Sequence, residues 1–70
     1  MKLYYIAKGL KKEVDGVVYV RRRGCNLFYQ FADGGSRHCM KCEACVVVDS
    51  YGVMYEGREL EVNCSNVITF

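Results

Sequence analysis

Seventy residues, 51% of them apolar and 26% charged, make a chain that folds, but one near the size where a single core is only marginally stabilising and a metal, disulfides or a partner often supplies the rest. A deep substrate pocket is excluded on the same ground. The net charge of +2 hides an asymmetry, since residues 1–23 carry seven Lys and Arg against two acids and residues 24–70 carry three against six.

No apolar run approaches the roughly 18–20 residues that span a bilayer, and residues 1–5 lack the long apolar core of a secretory signal. The expectation is therefore one small domain over residues 1–70 in the cytosol, the host's if the chain is virus-encoded, with no membrane contact. In that compartment five cysteines read as reduced thiols, metal ligands or core residues rather than a disulfide framework, and their odd number agrees.

In chain order, residues 2–8 alternate Leu3, Tyr5 and Ala7 with Lys2, Tyr4, Ile6 and Lys8, which predicts a strand with one face buried. Residues 9–16 are polar and end in Asp15-Gly16, a turn dipeptide, so they read as a connection, with a hairpin about Asp15-Gly16 as one option. Val17, Val18, Tyr19 and Val20 run into Arg21-Arg22-Arg23 as a second strand, which Gly24 stops. Leu27, Phe28, Tyr29 and Phe31 form an aromatic strand closed by a turn at Asp33-Gly34-Gly35. Met54 and Tyr55 face Leu60 and Val62 across residues 56–59 as a hairpin candidate, and residues 67–70 suit a terminal strand.

Residues 36–45 hold three of the five cysteines, spaced C-x-x-C-x-x-C, and the only histidine. Two structures compete here. In one, Ser36 caps a helix over residues 37–50 that ends near Gly52, and Cys39, Cys42 and Cys45 lie within one helical face. In the other, the cysteine-bearing loop feeds a strand at residues 44–49, as the β-branched run Val46-Val47-Val48 favours. The helix is preferred, which gives an α+β fold: an antiparallel sheet of four to five strands with one helix, about 37–50, packed on one face.

Zinc requires four tetrahedral ligands, and Cys39 and Cys42 have the spacing of one ligand pair, with Cys45, Cys25, Cys64 or His38 to complete the set. There is no second Cys-x-x-Cys and no knuckle glycine after Cys42, so the match is partial. The triplet also resembles the first three cysteines of a bacterial-type ferredoxin cluster motif, with Cys64 or Cys25 as fourth ligand, over seven residues and without the following Cys-Pro. That resemblance implies an iron–sulfur electron carrier. The bland alternative, which leads, is that these thiols are small buried hydrophobes and that no cofactor is bound. A thioredoxin-like role lacks its βαβ scaffold, and a Cys/His nucleophile built on Cys39 and His38 fails because adjacent residues diverge.

The basic end supplies the other candidate site. Arg21, Arg22 and Arg23 with Tyr4, Tyr5, Tyr19 and Tyr29 suggest a sheet face where arginines meet phosphates and aromatics stack on bases, although strand alternation turns Arg22 away from its neighbours. The preferred reading is a non-enzymatic regulator or inhibitor that occupies a surface of a larger protein or nucleoprotein. Its anchors are Tyr4, Tyr19, Arg21, Arg22, Arg23, Tyr29, Tyr51 and Tyr55, residue types favoured at interaction hot spots. In size and composition such a chain resembles the small accessory proteins of phages and mobile elements, anti-CRISPR inhibitors among them. A zinc-stabilised nucleic-acid-binding module is the alternative.

Overall fold

The computed structural model describes residues 1–32 and 37–63, and among these every regular element is a strand. In chain order they are β1 (Lys2–Ala7), β2 (Leu10–Asp15), β3 (Val17–Arg23), β4 (Asn26–Phe31), β5 (Arg37–Lys41), β6 (Ala44–Val48), β7 (Met54–Glu56) and β8 (Glu59–Asn63). They build two four-stranded sheets, sheet A in the order β2-β1-β6-β7 and sheet B in the order β5-β4-β3-β8. Every pairing is antiparallel.

Period-two alternation sets which side chains meet between the sheets. Sheet A turns Leu3, Cys45 and Val47 inward, and sheet B turns Val17, Val20, Leu27 and Tyr29 inward. Cys42 joins them from the β5–β6 connection. Val17 and Val20 are both fully buried although three positions apart, which strict alternation forbids. A register shift between Val17 and Tyr19 on β3 resolves this, because a bulge changes the parity of the strand and returns Val17 to the core side. Around Tyr29, His38 stacks at 4.9 Å and Phe31 packs edge-on at 5.6 Å. Tyr5 of sheet A reaches across to it at 6.4 Å between ring centroids, tying the two sheets together.

The expected helix over residues 37–50 is absent, and with it the α+β class: the described residues are all-β, with eight strands in two sheets rather than four or five in one. The segment is instead two strands, β5 in sheet B and β6 in sheet A, with the chain crossing between the sheets at Cys42-Glu43. Two physical terms override the helical spacing of the cysteines. The β-branched run Val46-Val47-Val48 favours a strand, and β1 offers β6 a ladder from Lys2↔Val48 to Ile6↔Ala44. Gly52, expected to end the helix, sits at φ 83° in the β6–β7 connection. The Ser36 cap, the turn at residues 33–35 and the strand at 67–70 lie outside the described residues.

Two connections also differ. Residues 10–15 are a strand, β2, joined to β1 by a two-residue turn in which Lys8 and Gly9 both take positive φ, 54° and 76°. That geometry matches the twist of a hairpin, and Lys-Gly hides it because Asn or Asp usually fills the first position. Asp15-Gly16 is consequently no hairpin: it carries the chain from sheet A to sheet B. Likewise β7 and β8 form at the expected positions but pair with β6 and β3, in different sheets.

Candidate functional site

The outer face of sheet B carries the densest set of binding groups. Register fixes it as three rows running β8, β3, β4, β5: Asn63-Tyr19-Gln30-Arg37, then Glu61-Arg21-Phe28-Cys39, then Glu59-Arg23-Asn26-Lys41. Four cations therefore surround one aromatic ring, and β3, β4 and β5 contain no acidic residue at all. Arg37 lies 5.9 Å from the centroid of Phe28, and Tyr19 packs edge-on against the same ring at 5.8 Å. A shallow depression of about 530 Å³ is lined here by Arg21, Arg23, Asn26, Phe28, Cys39 and Lys41.

Among the described residues of this face, the acids lie on β8, along one border. Glu61 accepts a hydrogen bond from the Tyr19 hydroxyl at 3.0 Å, and burial together with that bond pushes the Tyr19 phenol up. Glu59 stands 3.6 Å from Arg23 with both side chains largely exposed, a pair worth a fraction of a kcal/mol at most, on the order of 0–1. Lys41 donates to Asn26 Oδ1 at 2.8 Å, which holds the ammonium over the sheet.

Arg22, between two exposed arginines, does the opposite. Only 5% of it is exposed. Its Nε donates to the Gly24 carbonyl at 2.7 Å, Nη1 to the Gly57 carbonyl at 3.0 Å and Nη2 to the Glu43 carbonyl at 3.2 Å. These belong to the β3–β4, β7–β8 and β5–β6 turns, so one planar fork fastens three turns at one end of the molecule. Arg22 is a structural residue, not a surface anchor.

The cysteines divide by the same alternation. Cys39 faces outward on β5, whereas Cys42 and Cys45 are buried beside Arg22, so the three do not converge. Burial pushes both buried thiols up, and the nearby Arg22 cation partly offsets this. Cys25 is exposed in the β3–β4 turn, and Cys64 lies outside the described residues. Among the described residues, no three His, Cys, Asp or Glu side chains are grouped to hold a metal ion. His38 points inward and Cys39 outward, which separates the nucleophile pair considered from sequence.

The remaining tyrosine anchors scatter. Tyr29 is buried in the core. Tyr4 lies on the outer face of sheet A, across from Val46 of β6. Tyr51 and Tyr55 are exposed around the β6–β7 connection, with Val53 and Met54 also exposed there. Asp49 organises that connection: its Oδ1 accepts from the backbone N–H of Tyr51 and Val53, both at 2.9 Å, and its Oδ2 from the Tyr55 hydroxyl at 3.0 Å. Partial desolvation pushes this carboxyl up, but the Val53, Tyr51 and Tyr55 hydrogen bonds outweigh it and leave the group below its ordinary value.

Phe28, Arg37 and Lys41 did not figure among the sequence anchors. The signal for Phe28 was its parity on the aromatic strand, opposite to Leu27 and Tyr29. Arg37 and Lys41 were assigned to the expected helix, which hid their alignment with Arg21 and Arg23. Among the described residues no helix is long and apolar enough to cross a membrane. No family model, curated protein or solved structure matches this chain.

Proposed function

We propose that this chain is a non-enzymatic binding protein that lays the outer face of sheet B against a single nucleic-acid strand, alone or exposed within a nucleoprotein. The observation that carries the reading is Arg21, Arg23, Arg37 and Lys41 around the Phe28 ring, on three strands that bear no acid. Cations spaced along neighbouring strands follow a phosphate backbone, and an aromatic ring between them stacks on a base of any identity. The acidic border on β8 repels the same backbone and confines the strand to the β3–β5 side.

Fluorescence anisotropy with labelled single-stranded DNA and RNA across a salt series tests this. The expected result is binding whose log–log salt slope lies between about −2 and −3, since each phosphate contact on a single strand contributes about −0.7. Absence of binding to every oligonucleotide at low salt overturns the proposal.

A second reading, a regulator or inhibitor seated on a protein surface, is favoured by exposed Tyr51, Val53, Met54 and Tyr55 at the β6–β7 connection. Tyr and Met at an exposed, apolar corner suit a protein partner better than a phosphate backbone. Under this reading Tyr51→Ala/Met54→Ala abolishes partner binding while Arg21→Ala/Arg37→Ala leaves it intact. The reverse pattern assigns the interaction to sheet B.

A further inference from the structure

At the end of the molecule fastened by Arg22, Cys25 lies beside Cys42, which in turn neighbours Cys45. Cys42 donates its backbone N–H to the Cys25 carbonyl at 2.8 Å, one step beyond the Asn26↔Lys41 pair, which makes the two residues direct neighbours across the β4–β5 ladder. Residues directly opposite on antiparallel strands stand about 4.5–5.5 Å apart at Cα, inside the range of about 4.4–6.8 Å that a disulfide spans. Cys25 is exposed, whereas Cys42 is 3% exposed and lies near Cys45 and Arg22 in the buried interior. A groove of about 440 Å³ opens here, lined by Arg22, Cys25, Glu43, Cys45, Glu56 and Arg58.

We propose that Cys25 is a thiol-modification site and Cys42 its resolving partner, acting on low-molecular-weight disulfides such as glutathione disulfide. The Cys25 thiolate attacks one sulfur of the small disulfide, forming a mixed disulfide and expelling one small thiolate. The Cys42 thiolate then attacks the Cys25 sulfur, expelling the second small thiolate and leaving a Cys25–Cys42 bond. Two protein thiols lose two electrons and two protons, and one small disulfide is reduced to two thiols. An exposed cysteine poised beside a resolving cysteine is the arrangement that thiol-based sensors use.

Three features of this end support the sequence of steps. The groove, with Arg22 and Arg58 and also Glu43 and Glu56 on its walls, offers both charge signs to the carboxylate and ammonium groups of a small peptide disulfide at Cys25. Burial of Cys42 slows the second step, since only the thiolate attacks, and the nearby Arg22 cation keeps that step accessible. The resulting bond joins the β3–β4 turn to the start of the β5–β6 turn, two of the three turns that Arg22 already holds.

The test is exposure of the folded, reduced full-length chain to glutathione disulfide, followed by intact mass and proteolytic mapping over time. Expected are a transient glutathione adduct on Cys25 and then a species two hydrogens lighter than the reduced chain, with Cys25 linked to Cys42. Cys25→Ser abolishes both species, and Cys42→Ser stops at the adduct. Should Cys42→Ser fail to fold, the link mapped in the native chain decides by itself. An adduct confined to Cys39, or a bond joining any other pair, overturns the proposal.

Discussion

Nη1 of Arg22 donates to the carbonyl of Gly57 at 3.0 Å, across 35 positions of sequence. The same guanidinium holds the Gly24 and Glu43 carbonyls. Among the described residues no buried side-chain nitrogen or oxygen is left without a hydrogen bond. A buried cation is tolerated only with such full satisfaction, and here the partners are backbone carbonyls from three turns.

Lysine keeps the charge but presents a compact ammonium in place of a fork, so it cannot serve three carbonyls at once. Arg22→Lys is therefore expected to lower stability by about 2–4 kcal/mol, through carbonyls left unpaired and a poorly solvated cation. Urea unfolding followed by tyrosine fluorescence measures it. A midpoint unchanged from the wild type refutes the fastening role.

The Asp49 carboxyl is held below its ordinary value by the Val53, Tyr51 and Tyr55 donors, which outweigh desolvation. A depressed carboxyl contributes stability that is complete above its unfolded value, about 3.9, and is lost as pH falls through the folded value. Asp49→Asn is thus expected to flatten the acid limb of the stability curve below about pH 4. It should also deprive the Tyr55 hydroxyl of its carboxylate acceptor, the bond that pushes this phenol up. Parallel pH titrations of both proteins by urea midpoint, with NMR of the Tyr55 ring, check the two effects.

Within the sheet B face, Arg37 and Lys41 act as charges and Phe28 as a surface for stacking. Arg37→Ala and Lys41→Ala are each expected to reduce the magnitude of the salt slope by about 0.7 and to weaken all sequences alike.

Phe28→Ala should instead leave the slope in place and cost about 1–3 kcal/mol of binding, the contribution of one stacked base. Because Tyr19 packs on Phe28, a circular dichroism spectrum must first match the wild type. A changed slope with unchanged affinity at low salt would contradict the division of labour.

Strands were legible in the sequence where parity was clean. Leu3 between Lys2 and Tyr4, and Leu27 and Tyr29 between Asn26, Phe28 and Gln30, mark an inner and an outer face without any tertiary knowledge. Residues 37–50 were not legible, because cysteines three apart satisfy a helical face as well as a chance pattern does. What decides is β1, whose free edge accepts β6 from far along the chain, from Ile6↔Ala44 to Lys2↔Val48. The site was half visible for the same reason: Arg21 and Arg23 could be paired by parity, but Arg37 and Lys41 join them only once β5 is known to lie beside β4. Arg22 was separable from its neighbours by alternation, yet nothing local shows that three turns would converge on it.

The order in which the chain visits its two sheets has a consequence for how it folds. Strands β1, β2, β6 and β7 belong to sheet A and strands β3, β4, β5 and β8 to sheet B, so the path runs A, B, A, B. Neither sheet is assembled from one continuous stretch, and each contains one pairing between strands distant in sequence, β1 with β6 (Leu3↔Val47) and β3 with β8 (Val20↔Val62). Such topology requires large loops to close before the contacts that reward them exist, which places folding among the slow, non-local class, roughly milliseconds to seconds. It also couples the two halves of the sandwich: loss of either β6 or β8 strips a strand from one sheet and loosens the wall against which the other is packed, so the molecule melts as one unit.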